Sequence, residues 1–130
     1  MIRIHSDHAP AAIGPYSQAI AAGGFLYISG QIPVDPETGR IDADDIASQT
    51  ERACRNVGEI LNAAGTGFDR VVKTTCYLRD IGDFSAFNAV YEKYFISRPA
   101  RSCVAVRELP KGALCEIETV ACLLEDKENE

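Results

Sequence analysis

The hydrophobic pattern of this chain changes period along its length, and the stretch from about Asp45 to Ala64 shows it most clearly. There Ile46, Ala53, Val57, Ile60, Leu61 and Ala64 recur at three- and four-residue steps, which predicts a helix with one apolar stripe. Asp42, Asp44 and Asp45 favour its N-terminus, and Gly65 is placed to end it. Before it, "SQAIAAGGFLYISGQ" predicts two short strands around a Gly-Gly turn, and "PVDPETGRI" predicts a loop. After it, "RVVKTTCYL" has the β-branched and aromatic content of a strand. Asp83 can cap a second helix whose buried face is Phe84, Phe87, Tyr91, Tyr94 and Phe95, with Pro99 to stop it. "RSCVAV" and "CEIETVACLL" predict two more strands around a loop at Leu109-Pro-Lys-Gly112. The predicted order is β-β-α-β-α-β-β, an α+β fold with two helices on one face of a mixed sheet.

Bulk properties restrict what such a fold can do. At 130 residues the chain makes one domain, read here as 1–124 with an acidic tail at 125–130 that is expected to be disordered. The net charge of −6, with Lys and Arg scattered, argues against nucleic acid as a partner. Residues 9–34 carry no charge, but prolines and glycines interrupt them, so no membrane span is expected. No signal peptide is seen at the start. Five cysteines, at 54, 76, 103, 115 and 122, lack metal-ligand spacing and read as reduced thiols of a cytoplasmic protein, with no metal site. No phosphate-binding glycine loop is present.

The strands leave one face to explain. In "CEIETVACLL", Ile117, Thr119, Ala121 and Leu123 share one side, and Glu116, Glu118, Val120 and Cys122 share the other. In "RSCVAV", Arg101, Cys103 and Ala105 alternate with Ser102, Val104 and Val106. The expected result is one helix-facing core side and one mixed side carrying Arg101, Glu116 and Glu118. A solvated face is the commoner explanation of such a mixture, and a subunit interface holding a site is the other. Arg101 could clamp a small carboxylate through its planar fork, or pair with Glu118. Glu116, in an apolar strand, could exchange a proton with water, or form a sheet salt bridge. Tyr16 in "GPYS", Ser29-Gly30 at a strand end, and Asn88 at the edge of the second helix could each contact a ligand or serve only local structure. Cys103 has no histidine paired with it, which argues against covalent catalysis.

Taken together, "IGPYSQAI", "YISGQIPVDPETG", "NVGEILNAAG", "VVKTTCYLRDIGDF", "FNAVYEKYF", "PARSCVAV" and "LPKGALCEIE" resemble the RidA/YjgF family of reactive-intermediate deaminases, from about Pro10 to Cys122. The resemblance implies a chorismate-mutase-like fold assembled as a homotrimeric barrel, with helices outside and sites between subunits. It implies a cofactor-free enzyme that hydrolyses 2-imino acids, such as 2-iminopropanoate and 2-iminobutanoate released by pyridoxal-phosphate-dependent dehydratases, to 2-keto acids and ammonia. Carried across, Arg101 holds the substrate carboxylate and Glu116 activates water. Tyr16, Ser29, Gly30, Asn88 and Cys103 complete the pocket. The link "FISRPAR" is shorter than expected for this family and carries Arg98 where many relatives have an aromatic or aliphatic residue. Cys115 stands for the usual aliphatic residue before the glutamate. Two alternatives remain: an acid-binding or chaperone-like trimer without turnover, and an endoribonuclease or translation inhibitor.

Overall fold

The computed structural model describes residues 1–123, so the tail expected at 125–130 lies outside the described residues. Six strands form one sheet: β1 (Ile2–Ile4), β2 (Ala19–Ala22), β3 (Phe25–Gln31), β4 (Val71–Leu78), β5 (Ala100–Ala105) and β6 (Cys115–Cys122). Their order across the sheet is β1-β2-β3-β6-β4-β5. All neighbours are antiparallel except β4 and β5, which run parallel and are joined through a helix. The expected α+β class and mixed sheet are therefore correct. The additional strand β1 is only three residues long, too short to show a period of its own.

The first helix, α1 (Ile46–Ala63), begins where the sequence places it. The Asp45 carboxylate accepts from the Ser48 amide at 2.9 Å, satisfying one orphan donor of the first turn. Gly65, at φ 77°, takes the left-handed turn that ends it. The second helix, α2 (Phe84–Tyr94), differs in its cap: the Asp83 side chain makes no capping bond. Instead Asp80 accepts from the Gly82 amide in the 3-10 turn just before.

Between helices and sheet, Leu26, Ile28 and Ile117 pack with Val57, Ile60, Leu61 and Phe87, all buried. Each such side chain contributes on the order of 2 kcal/mol by leaving water. The aromatic stripe of α2 is stacked, with Tyr91 and Phe95 ring centroids 4.3 Å apart. Phe84, expected in that stripe, is 37% exposed. On the opposite face of the sheet, Phe25, Tyr27 and Val104 stand 39%, 49% and 45% exposed. Phe25 and Tyr27 lie on β3 and Val104 on the edge strand β5, with β6 and β4 between them.

Candidate functional site

Strand register decides which side chains can meet. Arg101 of β5 lies opposite Thr74 of β4, and Cys103 opposite Cys76. Thr74 and Cys76 are fully buried beneath the helices. Cross-strand neighbours share a face, so Arg101 and Cys103 point to the helix side. In β6, Glu116 lies opposite Tyr77 and Glu118 opposite Thr75, on the other side. The expectation that Arg101, Glu116 and Glu118 share one face is therefore corrected. Alternation within a strand gives two sets of side chains, but only pairing with a neighbour says which set faces which way.

Arg101 sits in an aromatic cradle. Its guanidinium carbon lies 4.9 Å from the Tyr91 ring centroid and 5.5 Å from that of Phe84. One Nη1–H donates to the Asn88 Oδ1 at 2.7 Å. Tyr91 is itself anchored, its hydroxyl sharing a 2.7 Å hydrogen bond with the Thr74 hydroxyl. Burial pushes the Tyr91 phenol up to about 12, so it stays neutral beneath the cation. A guanidinium has five N–H donors, and Asn88 takes one, leaving the fork available to a carboxylate. Asn88, Tyr91 and Arg101 line one hollow of about 740 Å³, whose wall continues through Arg98 and Pro99. Cys103 packs half-buried against the core. Burial raises its thiol pKa although Arg101 pulls the other way, which does not favour a nucleophilic thiolate.

Glu116 belongs to a second constellation. A Cβ on Gly30 would lie 2.8 Å from its Cδ and closer still to Oε2, so only glycine admits the carboxyl there. Burial, and then the neighbouring Glu118, raise the Glu116 pKa, as suits a group that takes and returns a proton. Glu118 is drawn aside by the Tyr77 hydroxyl, which donates to it at 3.1 Å. The register of β3 against β6 shifts between Ile28 and Gln31, and Ser29-Gly30 occupies that irregularity. The Ser29 hydroxyl donates to the Ser17 carbonyl at 2.6 Å, tying this point to the "GPYS" turn. Tyr16, 52% exposed, and Gly30 line a cleft of about 190 Å³ together with Gln31 and Lys111.

The sequence-predicted residues thus gather into two groups: Arg101, Asn88 and Cys103 on the helix side, and Glu116, Gly30, Ser29 and Tyr16 around the β3 bulge. One chain does not bring Arg101 and Glu116 together. Three contributors carried no separate sequence signal. Tyr91 and Phe84 read only as core aromatics, whereas they support Arg101. Gln18 reads as part of a strand. It is buried and accepts from the Ser6 amide at 2.7 Å, while its amide group donates to the carbonyls of Ser6 at 3.1 Å and Pro10 at 2.8 Å. It pins the segment that leads into Tyr16.

The family model described as endoribonuclease L-PSP matches residues 6–123. A RutC family protein of Pyrococcus horikoshii is 52% identical over 119 residues, 91% of this chain and 94% of the relative. A human protein named 2-iminobutanoate/2-iminopropanoate deaminase is 50% identical over 119 residues, 91% of this chain and 87% of its own length. The crystal structure of Escherichia coli TdcF with bound serine superposes with a TM-score of 0.89 at 40% identity, covering 94% of this chain and 98% of that one.

Proposed function

This chain belongs to the endoribonuclease L-PSP family, the RidA/YjgF family, and from that premise we propose that it hydrolyses 2-imino acids to 2-keto acids and ammonia at sites shared between subunits of a homotrimer. The observation that carries the reading is the division of the site. A carboxylate clamp, Arg101 with Asn88, lies on one face of the sheet, and a proton acceptor, Glu116 over Gly30, lies on the other. A neighbouring copy presenting its second face to the first face of this chain would complete one cleft. The exposed Phe25, Tyr27 and Val104 supply apolar surface for such an assembly.

In that cleft the Arg101 fork takes the substrate carboxylate through paired charge-assisted hydrogen bonds, and this fixes C2 of the imine. Glu116 accepts a proton from water as the water oxygen bonds to C2 and the C=N π electrons move to nitrogen. The proton is then returned to nitrogen. The carbinolamine then collapses: Glu116 takes the hydroxyl proton and passes it to nitrogen, the C–N bond breaks as C=O forms, and ammonia leaves. The imine carbon is already electrophilic, so positioning and one proton transfer supply the acceleration, the transfer contributing about a hundredfold or more. Tyr16, Ser29 and Cys103 line the pocket. No helix among the described residues is long and apolar enough to cross a membrane.

A second reading, binding of small acids without turnover, is favoured by the serine held by the TdcF structure. One assay separates them. The purified protein is added to a threonine dehydratase and 2-ketobutanoate is followed. Faster release that disappears in Arg101→Ala supports hydrolysis, and binding without faster release supports the second reading. The charge of −6 argues against the ribonuclease reading.

A further inference from the structure

We propose that the Arg101 hollow takes a 2-imino acid with a second carboxylate, held by Arg98 while Arg101 holds the first; this rests on the imine-hydrolysis reading and names its substrate class. Arg98 lines the same hollow as Asn88, Tyr91 and Arg101, and Lys93 adds a third cation to the wall. Glu92 is the carboxylate of that lining. Among the described residues, no carboxylate lies within ion-pairing distance of Lys93, Arg98 or Arg101. On a chain of net charge −6, an unpaired basic concavity runs against the general surface and attracts anions.

The backbone makes Arg98 distinctive. Its φ is 53°, in the left-handed region that residues with a Cβ seldom adopt. It also precedes Pro99, and the proline ring ordinarily drives the preceding residue to extended conformations. The turn is closed by the Arg98 amide, which donates to the Phe95 carbonyl at 3.1 Å. Strain of this kind persists where the surroundings over-determine it, and it gathers at ligand clamps. Glycine or asparagine would suit the turn better, but neither would place a long cation in the wall. The two guanidiniums lie three positions apart, one on the turn and one on the strand that follows it. On one chain, before a neighbouring copy closes it, the hollow of about 740 Å³ exceeds the size of a four- or five-carbon diacid. The chemistry is unchanged: water adds to C2, the second carboxylate stays intact, and the product is a keto diacid.

The test is calorimetric titration of the full chain with 2-ketoglutarate and with 2-ketobutanoate, comparing wild type with Arg98→Asn. Asparagine tolerates this backbone conformation, and Arg98→Gly serves as a second variant free of strain. Wild type is expected to bind the diacid about threefold to fivefold more tightly, the increment of one charge-assisted pair at an exposed position. Both variants are expected to lose that preference and to keep 2-ketobutanoate affinity within about twofold. Equal affinities in wild type, a preference that survives both substitutions, or no binding of either acid would overturn the proposal. Hydrolysis of 2-iminobutanoate, measured on the same samples, separates the two readings. Turnover without a diacid preference rejects only the second-carboxylate site. Arg98-dependent diacid binding without turnover supports that site and rejects hydrolysis.

Discussion

Gly30 and the Glu116 carboxyl occupy adjoining space with no room for a methyl group between them: a Cβ on Gly30 would lie 2.8 Å from Cδ of Glu116. The atoms in the way belong to the mobile end of a side chain, so the chain can accommodate the extra carbon by moving the carboxyl. Gly30→Ala is therefore expected to fold with its melting temperature lowered by only a few degrees. Imine hydrolysis should fall by about a hundredfold, since a displacement of roughly 1 Å at a reacting group has that effect. Thermal melts and steady-state kinetics on one preparation check both halves.

Arg101→Lys keeps the positive charge and removes the planar fork. kcat/KM for 2-iminobutanoate is expected to fall by about tenfold to a hundredfold, as one of two parallel hydrogen bonds is lost. Asn88→Ala leaves the guanidinium in place but frees its orientation, and a smaller loss of about fivefold to tenfold is expected. Neither change opens a core cavity, so urea unfolding midpoints should stay near wild type.

The pH dependence follows from Glu116. Burial first, and Glu118 second, hold its pKa above the ordinary carboxyl value. The base must be ionised, so kcat/KM is expected to fall as pH drops through that raised value. Glu118→Gln removes the neighbouring negative charge, lowers the Glu116 pKa and moves the acid limb to lower pH. For stability the sign is the reverse of the usual carboxylate. The folded chain binds this proton more tightly than the unfolded chain, so the group's contribution is fully present below the unfolded pKa and is lost as pH rises through the folded one. Glu116→Gln should then be inactive yet at least as stable as wild type at neutral pH, by thermal melting across pH 4 to 8.

Gln18→Ala removes the hydrogen-bond partner of the Ser6 amide and of the Pro10 carbonyl, while the Ser6 carbonyl keeps the Ala9 amide at 3.5 Å. A loss of about 1–3 kcal/mol in unfolding free energy is expected from those buried groups. KM should rise as the Tyr16 turn loosens, with kcat reduced less. Urea titration and substrate saturation curves give the two numbers.

Much of this fold is legible in the sequence, for identifiable reasons. α1 shows five or more turns of periodic apolar residues, a carboxylate at its N-cap and glycine just past its end, and those are local signals. β1 is three residues long and is defined only by pairing with β2, which is not local. The site was legible as a set of residues and not as an arrangement. Whether Arg101 joins Glu116 on one face depends on Thr74 lying beside it in β4, a register that neither strand encodes alone. Tyr91 and Phe84 could not be told from ordinary core aromatics, because a ring beneath a cation has the same helical spacing as a ring beneath a leucine. Gln18 was hidden for a related reason: its importance lies in carbonyls that the chain presents only after the 6–10 segment folds back.

The claim that one chain supplies the clamp and another the base is tested most directly by mixing two inactive variants. Arg101→Ala and Glu116→Gln are unfolded together in equal amounts, refolded, and assayed for 2-iminobutanoate hydrolysis. If the site spans two subunits of a ring, random assembly gives about a quarter of all clefts one intact Arg101 and one intact Glu116, whatever the number of subunits. Activity is then expected to return to about a quarter of the wild-type value, from near zero in each variant alone. Mixed oligomers that assemble, as shown by mass spectrometry, and remain as inactive as either parent would contradict the account.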